Sequence, residues 1–545
     1  MARIEARNVG SVGVVLDVPS HELPIEAWSD LRNARAKDGY IEPIFGETER
    51  LATDPAVAPP LNIFFCPTLL GLPYWVYAGQ TKVGVANAAG HEDITPAATT
   101  LAATDTTRWT AAWLNGIFVL NSKSEEMLVW DNIDPNTPTL MKRMSAIAST
   151  EFQSDWRFNA VRTFKEIIIG IGFTDGAAQF PTTIVWSAPA TAGTVPTGWD
   201  PANLNNIANE KPLSATPGAA IDGLQVGDNF ILCKEDATVL VTFQQGSSPL
   251  GFRYIDLTSG VLTINCMTEF KRGQAVIFNQ NYDLMITDGT RVDSLLSDRL
   301  RKTMQTRVNS LRSHQSFVVH NPLKREVWVC YPRSGVESVA GEIGCEEALI
   351  WNYEDNTFQF HDLGRISHIA FGTLDDEGNL DVINDIDVPI NTFAELINSG
   401  GLAGNFALLG CSTGRDSFYR MDFGAEIDGA SFEAVMERRG VALTKQRVDG
   451  VPQLDHHRVK VVSGIWPTFE VQGVDISVNV SAGAQEYRDG PTQWDGPYTF
   501  MPLEDQQVDF LVEGIYVAAR FEITVSEYWR FHSYAMDIQV AGDYL

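Results

Sequence analysis

The run Asn229-Phe230-Ile231-Leu232-Cys233-Lys234, then Glu235-Asp236, then Thr238-Val239-Leu240-Val241-Thr242-Phe243, decides the reading of this chain. It is an apolar strand, a tight polar turn and a second strand rich in β-branched residues, the pattern of a β-hairpin. The unit recurs. Trp113 to Asn121 is followed by Glu126 to Asp131. Gly273 to Phe278 is followed, after Asn279 to Asn281, by Asp283 to Gly289. Gln315 to His320 is followed by Arg325 to Pro332, and Asn405 to Gly410 by Ser417 to Asp422. Phe164 to Phe173 with Thr182 to Ser187 adds another strand pair. The turns draw on Asn, Gly, Pro and Asp, whose backbones tolerate the required dihedrals.

A hairpin alone cannot bury a face, but units packed side by side can. A spacing of roughly 40 to 60 residues fits the blades of a propeller, with a set of separate sandwiches as the other arrangement. After residue 430 the texture changes. Longer alternating strands, Val459 to Gly464, Val474 to Val480, Val508 to Val512, Tyr516 to Val525 and Trp529 to Val540, fit a β-sandwich, with Trp466, Trp494 and Trp529 as candidate core aromatics. The expected class is therefore mainly β: a degenerate β-propeller-like domain of repeated hairpins plus a C-terminal β-sandwich-like domain. The expected divisions are 1–60, an N-terminal arm and platform-like segment; 61–430, the propeller-like domain with loop insertions; and 431–545, the C-terminal β-rich domain. Residues 31–60 and 188–217 read as long loops. Trp199, in the second of them, calls for a pocket, in this subunit or in a neighbour.

One helix is expected, over Asp293 to Ser313, where Leu296, Leu300, Met304 and Val308 recur every four residues. The segment Arg291 to Arg325 carries eight Lys or Arg against two Asp, in a chain of 545 residues whose formal net charge is -29. Neutralisation by acidic neighbours in the same chain, contact with an acidic neighbouring subunit and contact with phosphate are the three readings of that patch. The overall acidity opposes sequence-specific DNA binding. It is compatible with a channel along which a polyanion slides. With 44% apolar residues the chain is a globular one. No apolar leader follows Met1 to Arg7, and the run Ile167 to Phe173 is too short to span a bilayer. The widely spaced Cys66, Cys233, Cys266, Cys330, Cys345 and Cys411 read as buried thiols rather than a disulfide framework.

Chemistry-bearing motifs are few. Gly410-Cys411-Ser412-Thr413-Gly414 matches G-x-S-x-G, but a nucleophile elbow needs a helix next, and Ser417-Phe418-Tyr419 reads as the return strand of a hairpin. Asp455-His456-His457 lacks spaced partners for a metal. Asp375-Asp376-Glu377-Gly378-Asn379 lacks the full calcium-loop register. Asp131-Asn132 and Asp288-Gly289 read as turns. No Walker loop or dinucleotide fingerprint occurs. No catalytic, cofactor-binding or metal-binding residue is assigned, no cofactor is expected, and the expectation is a protein that is not an enzyme. Trp113, Trp130, Trp186, Trp328 and Trp351 read as core, with sugar stacking by one or two exposed rings as the other use of such side chains.

Three passages carry a family likeness: Asn8-Val9-Gly10 with Leu23 to Arg35 and Gly39 to Pro43; Thr182 to Ser187 with Thr197-Gly198-Trp199-Asp200; and the hairpin series ending in the Trp529 strand. Together they resemble the tail nozzle, or tail hub, proteins of short-tailed bacteriophages. The resemblance implies a structural virion protein that self-associates into a ring, typically a hexamer, and extends the DNA channel. It implies help in retaining packaged DNA and in releasing it into the host. Expected partners are an adaptor or portal-proximal tail protein, tail fibres or spikes, and viral double-stranded DNA in non-specific passage, with no membrane. The expected location is the virion tail, after assembly in the host cytoplasm. The alternative is a receptor- or glycan-binding β protein of the tail, and more remotely a carbohydrate- or peptide-cleaving enzyme on a propeller.

Overall fold

In the computed structural model, residues 2–543 are described except 52–58, 68–72, 88–89, 98, 115, 132–138, 204, 245–248, 338, 340, 375–404, 416, 449–450 and 473–474. Among the described residues the hairpin repeat resolves into seven four-stranded antiparallel arrays, or blades, six of them separate sheets and one the end of a larger sheet. Their first strands are Asn62–Pro67, Trp109–Leu114, Trp156–Phe164, Ala220–Val226, Met267–Lys271, Phe317–Asn321 and His368–Leu374. Each of these touches the next, and the seventh returns to the first, so the seven form a closed circle around one axis. The protein is mainly β, as its sequence indicates, and the circle fixes the blade number at seven.

Local sequence explains the blades. In blade 4, Ala220–Val226, Asn229–Lys234, Thr238–Phe243 and Leu250–Asp256 pair in chain order, with the turn at Gly227 left-handed (φ 58°). Phe230, Leu232, Val239 and Val241 face Ile169, Ile171 and Trp186 of blade 3 in one buried cluster. Such a sheet is apolar on both faces because a neighbour covers each. In blade 2 the structure departs from the expected single strand over 113–121: the chain turns at Gly116 (φ 93°), ending one strand at Leu114 and starting the next at Ile117.

Blade 7 is not contiguous. His368–Leu374, Asn405–Cys411 and Phe418–Met421 are completed by Glu47–Leu51 from the N-terminal segment. The stretch 31–60, expected as loop, instead supplies strands: Asp30–Arg32, Ala34–Lys37, Tyr40–Pro43 and Glu47–Leu51. Asp30–Arg32 and Glu47–Leu51 find their partners hundreds of residues away, where no local pattern announces them, whereas Ala34–Lys37 and Tyr40–Pro43 pair with each other across the left-handed Asp38-Gly39 turn.

The C-terminal body is a sandwich. One sheet runs Val508–Gly514, Arg458–Val471, Trp529–Asp543, Tyr40–Pro43, Ala34–Lys37, with Ala2–Arg7 also paired to Trp529–Asp543. The other runs Asp30–Arg32, Glu433–Val441, Tyr516–Thr524, Val478–Gln485, Gln493–Phe500, and joins blade 6 where Arg32 pairs with Phe360. Trp28, Phe521, Phe531 and Tyr534 stack between them. Of the three expected core tryptophans only Trp529 is fully buried. Trp466 lies half-buried beneath the Arg3 guanidinium, and Trp494 half-buried beneath that of Arg520.

The expected helix shrinks to Arg301–Arg307. Val292–Ser294 is used as the outer strand of blade 5, and Val308 bridges to Arg333. Leu296, Leu300, Met304 and Val308 are nonetheless all buried, so the periodicity reported burial correctly and backbone shape only in part. Among the described residues no helix is long and apolar enough to cross a membrane.

Candidate functional site

The axis of the propeller is where seven strands converge, and it is filled at one end by a polar hub. Arg108 immediately precedes the inner strand of blade 2. Only 3% exposed, its guanidinium donates to Gln315 O at 2.6 Å, to Leu61 O at 3.1 Å and to Ser367 O. Those carbonyls immediately precede, or sit two residues before, the inner strands of blades 6, 1 and 7. Burial pulls the Arg108 guanidinium below its ordinary value, since carbonyls neutralise less than carboxylates.

Beside it, Arg162 of blade 3 holds Asp222 of blade 4 in a two-pronged pair, both contacts 2.8 Å. The same guanidinium donates to Ala111 O at 2.9 Å and Asn265 Oδ1 at 2.8 Å. Asn265, left-handed at φ 62°, donates its backbone N–H to Asp222 and its side-chain amide to Trp109 O. His368 Nδ1 donates to Ile63 O at 2.9 Å. Burial, then the nearby Arg108, push the His368 imidazole down to about 3, so it is neutral at physiological pH. Every blade is thus tied to the hub by a side chain or a strand-start carbonyl.

Below the hub lies an axial cavity of about 310 Å³. Phe64, Trp113, Thr163, Leu224, Met267, Val318 and His368 are among its walls, one or more from each inner strand. Its lining is mainly apolar. Side chains of the hub cross the axis, so a DNA duplex, whose major groove alone is about 12 Å wide, does not fit through the propeller.

The sequence motifs fall elsewhere. Ser412 is buried in the turn of the blade 7 hairpin and donates to Arg365 O at 3.1 Å. The segment after it returns as strand Phe418–Met421, the geometry its sequence indicated. Asp455 accepts from the backbones of His457 and Arg458 and pairs with the Arg458 side chain. His456 meets the Tyr516 hydroxyl at 3.3 Å. Among the described residues no group of three or more His, Cys, Asp or Glu could hold a metal. Asp375 to Asn379 lies outside the described residues, as does Asn132. Trp199 finds its pocket in its own chain: it is fully buried, edge-on to Phe152 at 5.2 Å, with Nε1 donating to Pro196 O. Glu151 organises that loop by accepting from Trp199 N, Asp200 N, Asn203 and Asn206. All six cysteines are free and buried. Trp130, Trp186, Trp328 and Trp351 are core, whereas Trp113 is half-buried at the axial cavity.

The basic stretch is largely neutralised within the chain. Arg291 pairs with Asp293, Arg301 with Asp283, Arg307 with Glu347, Arg312 with Glu346 and Arg325 with Glu354. Sequence reading missed the hub altogether. Its one local signal is a charge of each sign within neighbouring inner strands, Arg162 within Trp156–Phe164 and Asp222 within Ala220–Val226.

No family model matches the chain, and no curated protein matches it. Among solved structures it is similar to PorZ, a bacterial surface component of the type-IX secretion system of Porphyromonas gingivalis, at 9% identity and a TM-score of 0.34. That likeness covers 71% of this chain and 42% of PorZ, so the chain spans less than half of that protein's length. YCF48 from Cyanidioschyzon merolae is similar at 9% identity and a TM-score of 0.36, covering 69% of this chain and 98% of that one. The computationally designed Ika8 protein is similar at 9% identity and 0.36, covering 69% and 99%.

Proposed function

We propose that this chain is a structural subunit of a ring-shaped phage tail nozzle, in which DNA passes through the centre of the ring and not through the propeller. The observation that carries the self-association is at the sandwich. Val508–Gly514 ends one sheet and Gln493–Phe500 ends the other, and the two lie side by side, with Leu511 N donating to Asp495. Leu511 is 82% exposed and Leu503 66%, and Tyr498 is exposed beside Phe510. Adjoining open sheet edges that carry large apolar side chains are places where another chain adds on. The likeness to nozzle proteins supplies the ring, and the plugged axis supports placing any conduit between subunits. A six-copy ring would bring together six times the charge of -29, a surface from which DNA is repelled rather than held.

Electron microscopy of the purified protein, alone and with an adaptor ring, tests this reading. Rings with a central hole are the expected outcome, and a Leu503→Lys, Leu511→Lys double variant is expected to remain monomeric. Monomers alone at assembly-like concentrations, with and without the adaptor, would overturn it.

A further inference from the structure

The axial cavity is more than a gap between blades. It is bounded at the hub end by Arg162 and Asn265, and one imidazole is left partly unused in its wall. His368 is 7% exposed, and its Nδ1 must carry the proton because it donates to a carbonyl, Ile63 O. Nε2 is then a lone-pair acceptor, and among the described residues nothing donates to it. A bound group that donates to Nε2 gains a hydrogen bond in a mainly apolar setting. The ring itself is held by Phe64 at 5.4 Å and Phe317 at 5.1 Å, so its direction is fixed by packing.

The remaining walls define what else such a group must be. Phe64 and Trp113 contribute aromatic side chains to the wall, and Met267 a soft, polarisable one. Leu224, Val318 and Ile369 add apolar surface, with Thr163, Gln225 and Asn265 as neutral polar groups in the wall. Arg162 is already committed to Asp222, Ala111 O and Asn265. No uncommitted carboxylate lines the space, so a cationic ligand has no counter-charge, and the neutral His368 cannot donate to an anion through Nε2. At about 310 Å³ the cavity is larger than the roughly 150 Å³ apolar cavity that accommodates benzene.

We propose that the axial cavity is a binding site for a neutral aromatic group bearing one hydrogen-bond donor, an indole or a phenol, with the donor on His368 Nε2. Such a group reaches the cavity either as a free small molecule or as a Trp or Tyr side chain of a partner. The site rests on the propeller alone and is independent of ring formation.

Calorimetric titration of the full chain with indole, N-methylindole and acetyl-Gly-Trp-Gly amide tests the proposal. Saturable indole binding with Kd below about 1 mM is expected. N-methylindole, which keeps the ring and loses the donor, is expected to bind roughly tenfold more weakly. His368→Phe is expected to abolish that discrimination. Thr163→Trp, which fills the cavity from the half-exposed end and leaves the hub intact, is expected to abolish binding of both, and it keeps the test decisive should the His368 variant fail to fold. A peptide that binds as tightly as indole identifies a partner side chain as the occupant, and indole binding without peptide binding identifies a free small molecule. Absence of saturable indole binding, equal affinity for N-methylindole, or indole binding undiminished in Thr163→Trp overturns the proposal.

Discussion

Two buried arginines hold this molecule together in opposite ways. Arg35, at the seam between propeller and sandwich, faces three carboxylates: Glu326 at 2.5 Å, Asp422 at 2.7 Å and Glu42 at 3.4 Å. Arg108, on the axis, faces only carbonyl oxygens. The carboxylates raise the Arg35 guanidinium well above its ordinary value despite burial, whereas burial lowers that of Arg108. The seam joins segments far apart in sequence through neutralised charge. The axis is stitched by dipoles and keeps a cation at its centre. A charge that is merely solvated by dipoles also acts on its neighbours, which is why Arg108 follows burial as the second cause of the depressed His368.

The sharpest way to break the contrast is at the seam. Arg35→Met removes one cation and leaves Glu326, which is fully buried, and Asp422 without their ion-pair partner. A loss of about 3–5 kcal/mol is expected in denaturant unfolding, the usual consequence of orphaning a buried ion pair. Arg108→Met removes a charge whose burial is itself costly and leaves three carbonyls short of a donor. A smaller loss, about 1–3 kcal/mol, is expected in the same measurement. A larger loss at Arg108 than at Arg35 would invert the comparison.

Acid sharpens it further. The folded His368 sits at about 3 and the unfolded one near 6.5, so the unfolded chain binds more protons between those values. Stability is therefore expected to fall as pH is lowered from 6.5 toward 3. In His368→Gln that part of the pH dependence disappears. In Arg108→Met the His368 midpoint is expected to rise, followed by histidine NMR titration. His361, beside the seam, is held at about 4 by burial, with Asp422 and Arg35 acting in opposite directions, so Arg108→Met should leave it in place. The smallest effect belongs to Ser412. It makes one hydrogen bond to Arg365 O in a blade 7 turn, so Ser412→Ala should cost about 1 kcal/mol in thermal unfolding.

The legibility of this fold followed the range of its contacts. Blade 4 was readable because Asn229–Lys234 and Thr238–Phe243 pair across a three-residue turn. Glu47–Leu51 was not, because its strand identity comes from Phe418–Met421, more than 360 residues on. Trp199 announced the need for a pocket, and only packing against Phe152 placed that pocket in the same chain. The axial hub was invisible for the same reason: Arg108, Asn265 and His368 come from three blades and carry no spacing.

By itself, then, the sequence determined the hairpins, their repetition and the change to a sandwich, because alternation and turn chemistry act between near neighbours. Tertiary structure alone decided that there are seven blades, that the N-terminal segment closes the seventh, and that the axis is plugged above a cavity. Those features depend on which distant strands share an edge or a centre, and burying the apolar faces of seven blades against one another settles that only when the whole circle is formed.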